Sequence, residues 1–264
     1  MSRYVKPAGR WLLIALGFLG SWQLLVWMTG VPPFMLPGPA QVFSSLLQHH
    51  EQIAHHGLTT ATEILLGLAC GTLLGAGSAL LIGQFRAAQH WLMPVLVASQ
   101  AIPVFALAPL LVLWLGYGMA SKIAMATLII FFPVTAAFLD GLRRTEPGWV
   151  DLARTMTAGD NNRSGHVTDF SILRHIRLPA ALPAFASGLR VATAVAPIGA
   201  VVGEWVGSSA GLGYLMLHAN ARMQIDLMFA ALLTLTAVSV VLWFAVDASL
   251  RHLLPWTPHS LQPD

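Results

Sequence analysis

The stretch ILLGLACGTLLGAGSALLIGQF, residues 64–85, runs for twenty-two positions without a charged residue. A helix of about 20 predominantly apolar residues crosses a bilayer, so this segment has the length and composition of a membrane span. Outward from it, further charge-free stretches occupy 11–50, 87–121, 123–139 and 227–246. The 264-residue chain is 56% hydrophobic and only 9% charged, against roughly 25% charged in ordinary soluble domains. That leaves too little polar surface to solvate a globule and disfavours a water-soluble enzyme. The prediction is an all-α, polytopic membrane protein, one transmembrane domain over 1–264, with helices at about 11–29, 59–83, 91–115, 120–141, 180–206 and 227–248.

Orientation follows from the basic residues, because Lys and Arg collect in cytoplasmic loops. A cytoplasmic N-terminus leaves Arg3, Lys6, Arg10, Arg86, Arg143, Arg144, Arg154, Arg163, Arg174, Arg177 and Arg251 inside, with only Lys122 and Arg222 outside. Arg190 falls within the fifth helix. The net charge of +3 is therefore read as orientation, not as a nucleic-acid surface, which needs its basic residues gathered on one solvated face. The first apolar stretch follows Arg3, Lys6 and Arg10 without an Ala-x-Ala cleavage site, so it is read as a retained helix.

Residues 30–57 read as an external segment, punctuated by prolines and carrying a short amphipathic helix over Gln41–Ile53 with Val42, Leu46, Leu47 and Ile53 on its apolar side. His49, His50, His55 and His56 lack a supporting carboxylate or thiol pattern beyond Glu51, and a solvated loop is preferred to a metal site. No cofactor or metal is predicted. The single Cys70 gives no disulfide framework.

Gly67, Gly71 and Gly75 recur every four residues in the second helix, baring one face to close backbone approach by a helix of this protomer or of a second subunit. In the third, Pro94, Pro103 and Pro109 beside Ser99 and Gln100 predict a kinked segment, buried in protein or lining a wet cavity. Few ionisable residues enter the spans. Glu204 lies near the outer end of the fifth helix, seven residues after Pro197 and so on roughly the same face. A pathway or gate there and a structural carboxylate both remain open, with Gln100 and Pro103 the alternative pathway position. Glu63, near the outer end of the second helix, reads as structural, while Asp140 and Asp247 read as solvated cytoplasmic ends.

The only sizeable polar segment, about 142–179, is predicted cytoplasmic. Residues 146–156 form one short helix with Pro147 at its start, 159–165 a turn, and Phe170–Ile176 a second helix. No Gly-x-x-x-x-Gly-Lys-Ser/Thr loop is present to cradle phosphate. A self-contained secondary transporter or channel would couple through ionisable groups, and Glu63, Glu204 and Arg190 are a thin set. An intramembrane enzyme would require a nucleophile or metal constellation, which the spans lack.

Taken in order, Leu36-Pro37-Gly38-Pro39, Ala108-Pro109-Leu110, Trp114-Leu115-Gly116, Asp151-Leu152-Ala153, Ile176-Arg177-Leu178-Pro179, Gly203-Glu204 and Gly211-Leu212-Gly213-Tyr214 resemble the permease subunits of binding-protein-dependent ABC importers. The branch resembled handles nitrate, sulfonate, taurine and thiamine-precursor pyrimidines. Thr157 stands where that family has Gly, and eighteen residues separate it from Ile176 where nine are usual. The resemblance implies a type I importer permease of the bacterial inner membrane, working as a homodimer. Its implied partners are a dimer of ABC ATPase subunits and a periplasmic binding protein, and ATP is hydrolysed by the former. It also implies that Asp151, Leu152, Ala153, Thr157, Ile176, Leu178 and Pro179 belong to the element that couples to the ATPase. The tracts at 100–109, 196–200 and 214–220 are most similar to hydroxymethylpyrimidine permeases.

Overall fold

The computed structural model describes residues 7–158 and 169–256. Two compact units emerge, one of Met1–Thr60 with Ser209–Ala237 and one of Ala61–Ser208 with Val238–Asp264. Among the described residues the regular structure is helical: α1 (Pro7–Thr29), α2 (Pro39–Gln48), α3 (His50–Gln84), α4 (Arg86–Ala101), α5 (Val104–Leu115), α6 (Met119–Arg143), α7 (Pro147–Ala158), α8 (Asp169–Ile172), a π-helical turn (Leu173–Arg177), α9 (Leu178–Gly207), α10 (Leu212–Ala221) and α11 (Ile225–Leu253).

The second unit is organised by α6. A Cβ added to Gly67 of α3 would lie 2.4 Å from Ala126 Cβ, one on Gly71 2.6 Å from Ile130 Cγ2, and one on Gly75 3.0 Å from Val134 Cβ. Each pair is offset by the same 59 residues (126 − 67, 130 − 71, 134 − 75), and Gly83 meets Leu142 at the same offset. The two helices therefore run parallel in one fixed register, and the glycine face is used within the protomer. On its other side α6 meets α9 antiparallel: Gly188 lies against Ala137, Gly199 against Ala126 and Gly203 against Lys122, while Gly141 of α6 lies against Ala184. Ala126 is thus gripped from both sides. Small side chains let helix backbones approach and gain dispersion contacts that lipid tails do not displace. Further along α6, Phe138, Leu139 and Leu142 join Ala79, Ile82, Leu96, Leu173 and Ala181 in an apolar cluster.

Two parallel neighbours need a return crossing between them, and α4 with α5 supplies it. The expected single kinked span at 91–115 is instead broken: Ala87–Ser99 and Val104–Leu115 meet at 104°. Pro103 starts α5, and its missing N–H together with the extended Ile102 before it (φ −86°, ψ 118°) stops α4. Trp91, Val97, Phe105, Leu113 and Trp114 are exposed on the protomer, so the segment is not enclosed by its own chain. Four described helices are long and apolar enough to cross a bilayer, His50–Gln84, Met119–Arg143, Phe170–Gly207 and Ile225–Leu253, and the number is five when the bent pair is counted as one span. The remaining expected span lies within the 23-residue α1.

Two further expectations are corrected. The second span begins at His50, not near 59, and the expected 41–53 helix divides at His49. Hydropathy marks where a helix is apolar, whereas backbone hydrogen bonding extends it through solvated His, Glu and Gln. The expected break between a short helix at 170–176 and a span from 180 is absent, because the chain is helical without interruption from Asp169 to Gly207. Pro179 would clash with the carbonyl four residues earlier in a regular α-helix. The π turn over Leu173–Arg177, where Leu178 N–H donates to Leu173 O, absorbs that conflict.

In the first unit, Pro39 opens α2, and the Gly38 N–H donates to Gln41 Oε1 (3.2 Å). Trp22 of α1 stacks on Phe229 of α11 with ring centres 5.8 Å apart.

The α6 register makes a quantitative prediction. Gly199→Leu would drive a side chain into the Ala126 backbone, 2.6 Å from the added Cβ, and is expected to cost about 1–3 kcal/mol. Gly77, with no atom within 4 Å, is the control, and Gly77→Ala should be neutral or stabilising by about 0.5–1 kcal/mol. Thermal unfolding in detergent compares them, and equal midpoints would overturn the register.

Candidate functional site

One turn above Ala126, the register that seats the α3 glycines on α6 pairs charges. Glu63 of α3 is offset from Lys122 of α6 by the same 59 residues, and its Oε1 lies 3.2 Å from Lys122 Nζ. The contact is ionic, not an aligned hydrogen bond. Glu63 is 0%, Lys122 6% and Glu204 1% exposed. Glu204 of α9 interacts electrostatically with Glu63, while its neighbour Gly203 lets α9 press onto the Lys122 backbone. Three helices thus contribute two carboxyl groups and one ammonium to a site without water access. Desolvating these groups is expensive; the Lys122 ammonium offsets part of that cost for Glu63, whereas Glu204 brings a second carboxyl group to the same site.

This corrects two sequence readings. Lys122 is not an outer-loop cation but a buried residue of the first turn of α6, which changes the loop asymmetry from eleven against two to eleven against one. Glu63, read as structural near the interface, is fully buried and ion-paired. Sequence reasoning missed Lys122, although a signal was present: Glu63, Lys122 and Glu204 all lie near the same ends of their helices.

Pro197 shares the buried face of α9 with Glu204, and the helix passes through it without a break. Pro103 stands at the exposed α4–α5 break, with Gln100 in the preceding turn; the Gln100 side chain lies outside the described residues. The structure therefore joins Glu204 to Glu63 and Lys122.

At the other ends of these helices, Asp247 of α11 is not solvated as expected but 8% exposed. Arg190 Nε donates to its Oδ1 at 2.7 Å, and Arg251 pairs with Oδ2. A carboxylate in α11 otherwise buried without a partner is costly, and Arg190, unplaced by the loop tally, is that partner. Asp140 is exposed and pairs with Arg144.

The polar segment carries α7, on which Asp151 and Leu152 are exposed, the latter 59%, Ala153 is half-buried and Val150 is buried. Thr157 is helical, with its side chain outside the described residues, as is the whole turn 159–168. Ile176 and Leu178 are half-buried and Pro179 exposed. Leu178 packs on the apolar cluster at the base of α6.

The histidines have a structural use. The turn before α10 is pinned by α3: Gly211 N–H donates to His56 Nδ1 (3.0 Å) and Leu212 N–H to Thr60 Oγ1 (2.7 Å). These N–H groups begin α10 and have no acceptor within it. Gly211 has φ +115°, which other residues rarely adopt. Tyr214 then lies between His56 and His218, with ring centres at 5.8 and 4.1 Å. Among the described residues no group of three or more His, Cys, Asp or Glu is arranged to hold a metal ion.

The buried pair predicts a double-mutant signature. Lys122→Met leaves carboxyl groups buried beside an apolar side chain and should cost about 3–5 kcal/mol, while adding Glu63→Met should recover most of the loss. Unfolding midpoint and folded yield measure both. A double variant no more stable than the single one would refute the pairing.

Comparison with known proteins places this geometry. Residues 71–257 match the family described as binding-protein-dependent transport system inner membrane component. A probable ABC transporter permease protein of Haemophilus influenzae is 54% identical, covering 97% of this chain and 98% of its own. The formylaminopyrimidine transport permease protein ThiX of Halalkalibacterium halodurans is 35% identical over 89% of this chain and 90% of its own. The riboflavin transport system permease protein RibX of Chloroflexus aurantiacus is 34% identical over 97% and 93%. The fold is that of the MetNI methionine ABC transporter in an inward-facing conformation, with a TM-score of 0.65 at 17% identity, covering 78% of this chain and 98% of the matched one. A multi-pass helical chain whose α6 is clamped between α3 and α9, and which matches that family over most of its length, belongs to the inner-membrane permease components of binding-protein-dependent ABC importers.

Proposed function

We propose that this permease carries a small pyrimidine-type solute of the thiamine-precursor class, received outside from a soluble binding protein and driven by a separate pair of ATPase subunits. The observation that carries the cargo reading is the near full-length similarity to ThiX, joined to the tracts around Gln100–Pro109 and Tyr214–Asn220. Sulfonate, taurine or nitrate is the alternative cargo. The test is ATPase stimulation and uptake in proteoliposomes holding the permease, its ATPase subunit and the cognate binding protein. Hydroxymethylpyrimidine or formylaminopyrimidine should stimulate both, and taurine neither. Stimulation by taurine alone would reverse the assignment.

The permease is read as a homodimer with its N-terminus in the cytoplasm, which puts the segment 142–179 on the ATPase side. There Trp149 and Leu152 of α7 present exposed apolar side chains, while Val150 anchors the helix inward. Motion imposed on this segment has a continuous route. From Ile176 to Glu204 is twenty-eight residues of uninterrupted helix, about 42 Å at 1.5 Å per residue, ending at the buried charges. The π turn at Leu173–Arg177 is a place where that helix can change pitch. In this reading Glu204 acts as a gate element through Glu63 and Lys122, with Pro197 on the same face, and the break at Gln100–Pro103 borders the pathway.

Leu152→Asp with Ala153→Asp puts unpaired charge into the proposed ATPase contact, where desolvation is unfavourable. The double variant should express normally, because Leu152 is exposed and Ala153 half-buried, but co-purify poorly with the ATPase subunit and lose transport about tenfold or more. Unchanged co-purification and transport would remove α7 from the coupling element.

A further inference from the structure

Asp247 of α11 has two guanidinium partners where one would balance it. Arg190 Nε donates to its Oδ1 at 2.7 Å and Arg251 pairs with Oδ2, so the cluster keeps a surplus positive charge. A guanidinium has five N–H donors in a planar fork that fits a carboxylate or a phosphate. Each of these two spends one on Asp247, and neither has another protein partner among the described residues. Their side chains stay 32% and 49% exposed, which leaves most of the donors open to an anion. Arg251 lies in the last turn of α11, where a cation also offsets the helix dipole. That need explains its sign but not Arg190, which stands well inside α9.

Depth identifies which anion can reach them. Helix α11 runs for 29 residues, Ile225–Leu253, about 44 Å at 1.5 Å per residue. A bilayer measures about 40–45 Å with its headgroups, so a helix of that length reaches from one headgroup layer to the other. Arg251 is two residues from the end of α11, at headgroup level, and Asp247 lies one turn deeper. Towards the bilayer centre the same face continues with Phe244 and Val240, seven and eleven positions before Arg251 and so nearly in line with it. Both are exposed, 44% and 47%. Leu250 and Leu254 instead turn inward against Ala186 of α9, so the exposed stripe is separate from the contact between the two helices.

Open cationic donors at headgroup depth, set directly over an exposed apolar stripe, repeat the order of a phosphate joined to alkyl chains. We propose that Arg190 and Arg251, with Phe244 and Val240 beneath them, form a binding site for one anionic phospholipid. Its phosphate is taken by the two guanidiniums and an acyl chain lies on the stripe. A soluble phosphate would satisfy the arginines but leave the stripe unused. The loop-charge asymmetry puts this end of α11 on the cytoplasmic side, where basic pockets between membrane helices take anionic headgroups. The inference stands on the membrane-spanning fold and not on the cargo reading above.

The experiment offers the full-length permease in detergent equal, limiting amounts of phosphatidylglycerol and phosphatidylcholine with the same acyl chains, and reads the lipid retained by native mass spectrometry. The wild type should retain phosphatidylglycerol in preference, and Arg251→Gln should lower that preference about fivefold, the effect of one cation beside an anionic headgroup. Arg251→Gln leaves the Arg190–Asp247 pair in place, so its unfolding midpoint without added lipid should stay near that of the wild type. Arg251→Lys keeps the charge but loses the planar fork, and should fall between the two. No preference in the wild type, or one in Arg251→Gln within about twofold of the wild type's, overturns the site. Glycerol phosphate has the headgroup phosphate without the chains. If it displaces the bound lipid at equal concentration, the cluster is a site for soluble anions and the lipid assignment falls. Loss of ATPase-subunit binding in Arg251→Gln with the lipid preference unchanged gives the cluster to a protein partner and also overturns the proposal.

Discussion

The second unit depends on one constraint, the fixed register of α3 and α9 against α6. Ala126 is the point where it is tightest, with Gly67 on one side and Gly199 on the other. In a bilayer, apolar side chains gain little by leaving lipid for protein, so close backbone approach and polar pairing are what distinguish one helix arrangement from another. The same four-residue repeat supplies both here. Glu63 is the next rung above Gly67, Gly71 and Gly75, just as Lys122 is the next rung above Ala126, Ile130 and Val134. A slip of one turn in one direction would put Glu63 against Ala126, and a slip in the other would put Gly67 against Lys122; either separates the charges. The buried charges therefore reinforce the register that the glycines allow.

Much of this was legible in the sequence, for identifiable reasons. The six apolar regions declared themselves because charge is rare in the chain, and the Gly67–Gly71–Gly75 face because glycine repeats at helical period leave one side bare. Pro103 announced an interruption. What sequence could not give was partnership. Lys122, four residues into a helix, has the composition of a loop-end anchor, and only the 59-residue offset shows that it faces Glu63. Asp247 looked solvated because its partner Arg190 is fifty-seven residues away. The start of α3 at His50 was hidden because its first residues are polar, and helical hydrogen bonding does not depend on apolarity. Pro179 signalled a break where none exists, since proline disrupts an α-helix but a π turn relieves the clash.

The polar groups of the membrane-embedded part fall into two layers with different chemistry. Toward one end, Glu63, Lys122 and Glu204 are nearly sealed from solvent and join α3, α6 and α9. Toward the other, Asp247 is shared by Arg190 and Arg251, whose side chains keep about a third and a half of their exposure. The first cluster is dominated by desolvation, so losing Lys122 leaves two buried carboxyl groups without a cation. The second is partly screened by water, so losing Arg251 costs less than losing Lys122. Both clusters include a residue of α9, Glu204 in one and Arg190 in the other, and the thirteen positions between them contain only uncharged side chains.

That arrangement makes α9 the helix that touches both charged clusters. A helix is stiff along its axis, and the stretch from Phe170 to Gly207 has no break. Its Pro183 and Pro197 remove backbone donors without bending it out of the helical path. A shift of α9 along α6 would have to move Gly188, Gly199 and Gly203 off Ala137, Ala126 and Lys122 together, because the three contacts share one register. Two of the three contacts set glycine against alanine and the third sets Gly203 against the Lys122 backbone, so any slide of α9 also carries Glu204 past the buried Glu63–Lys122 pair. Packing and the surroundings of the buried charges therefore change together when α9 moves.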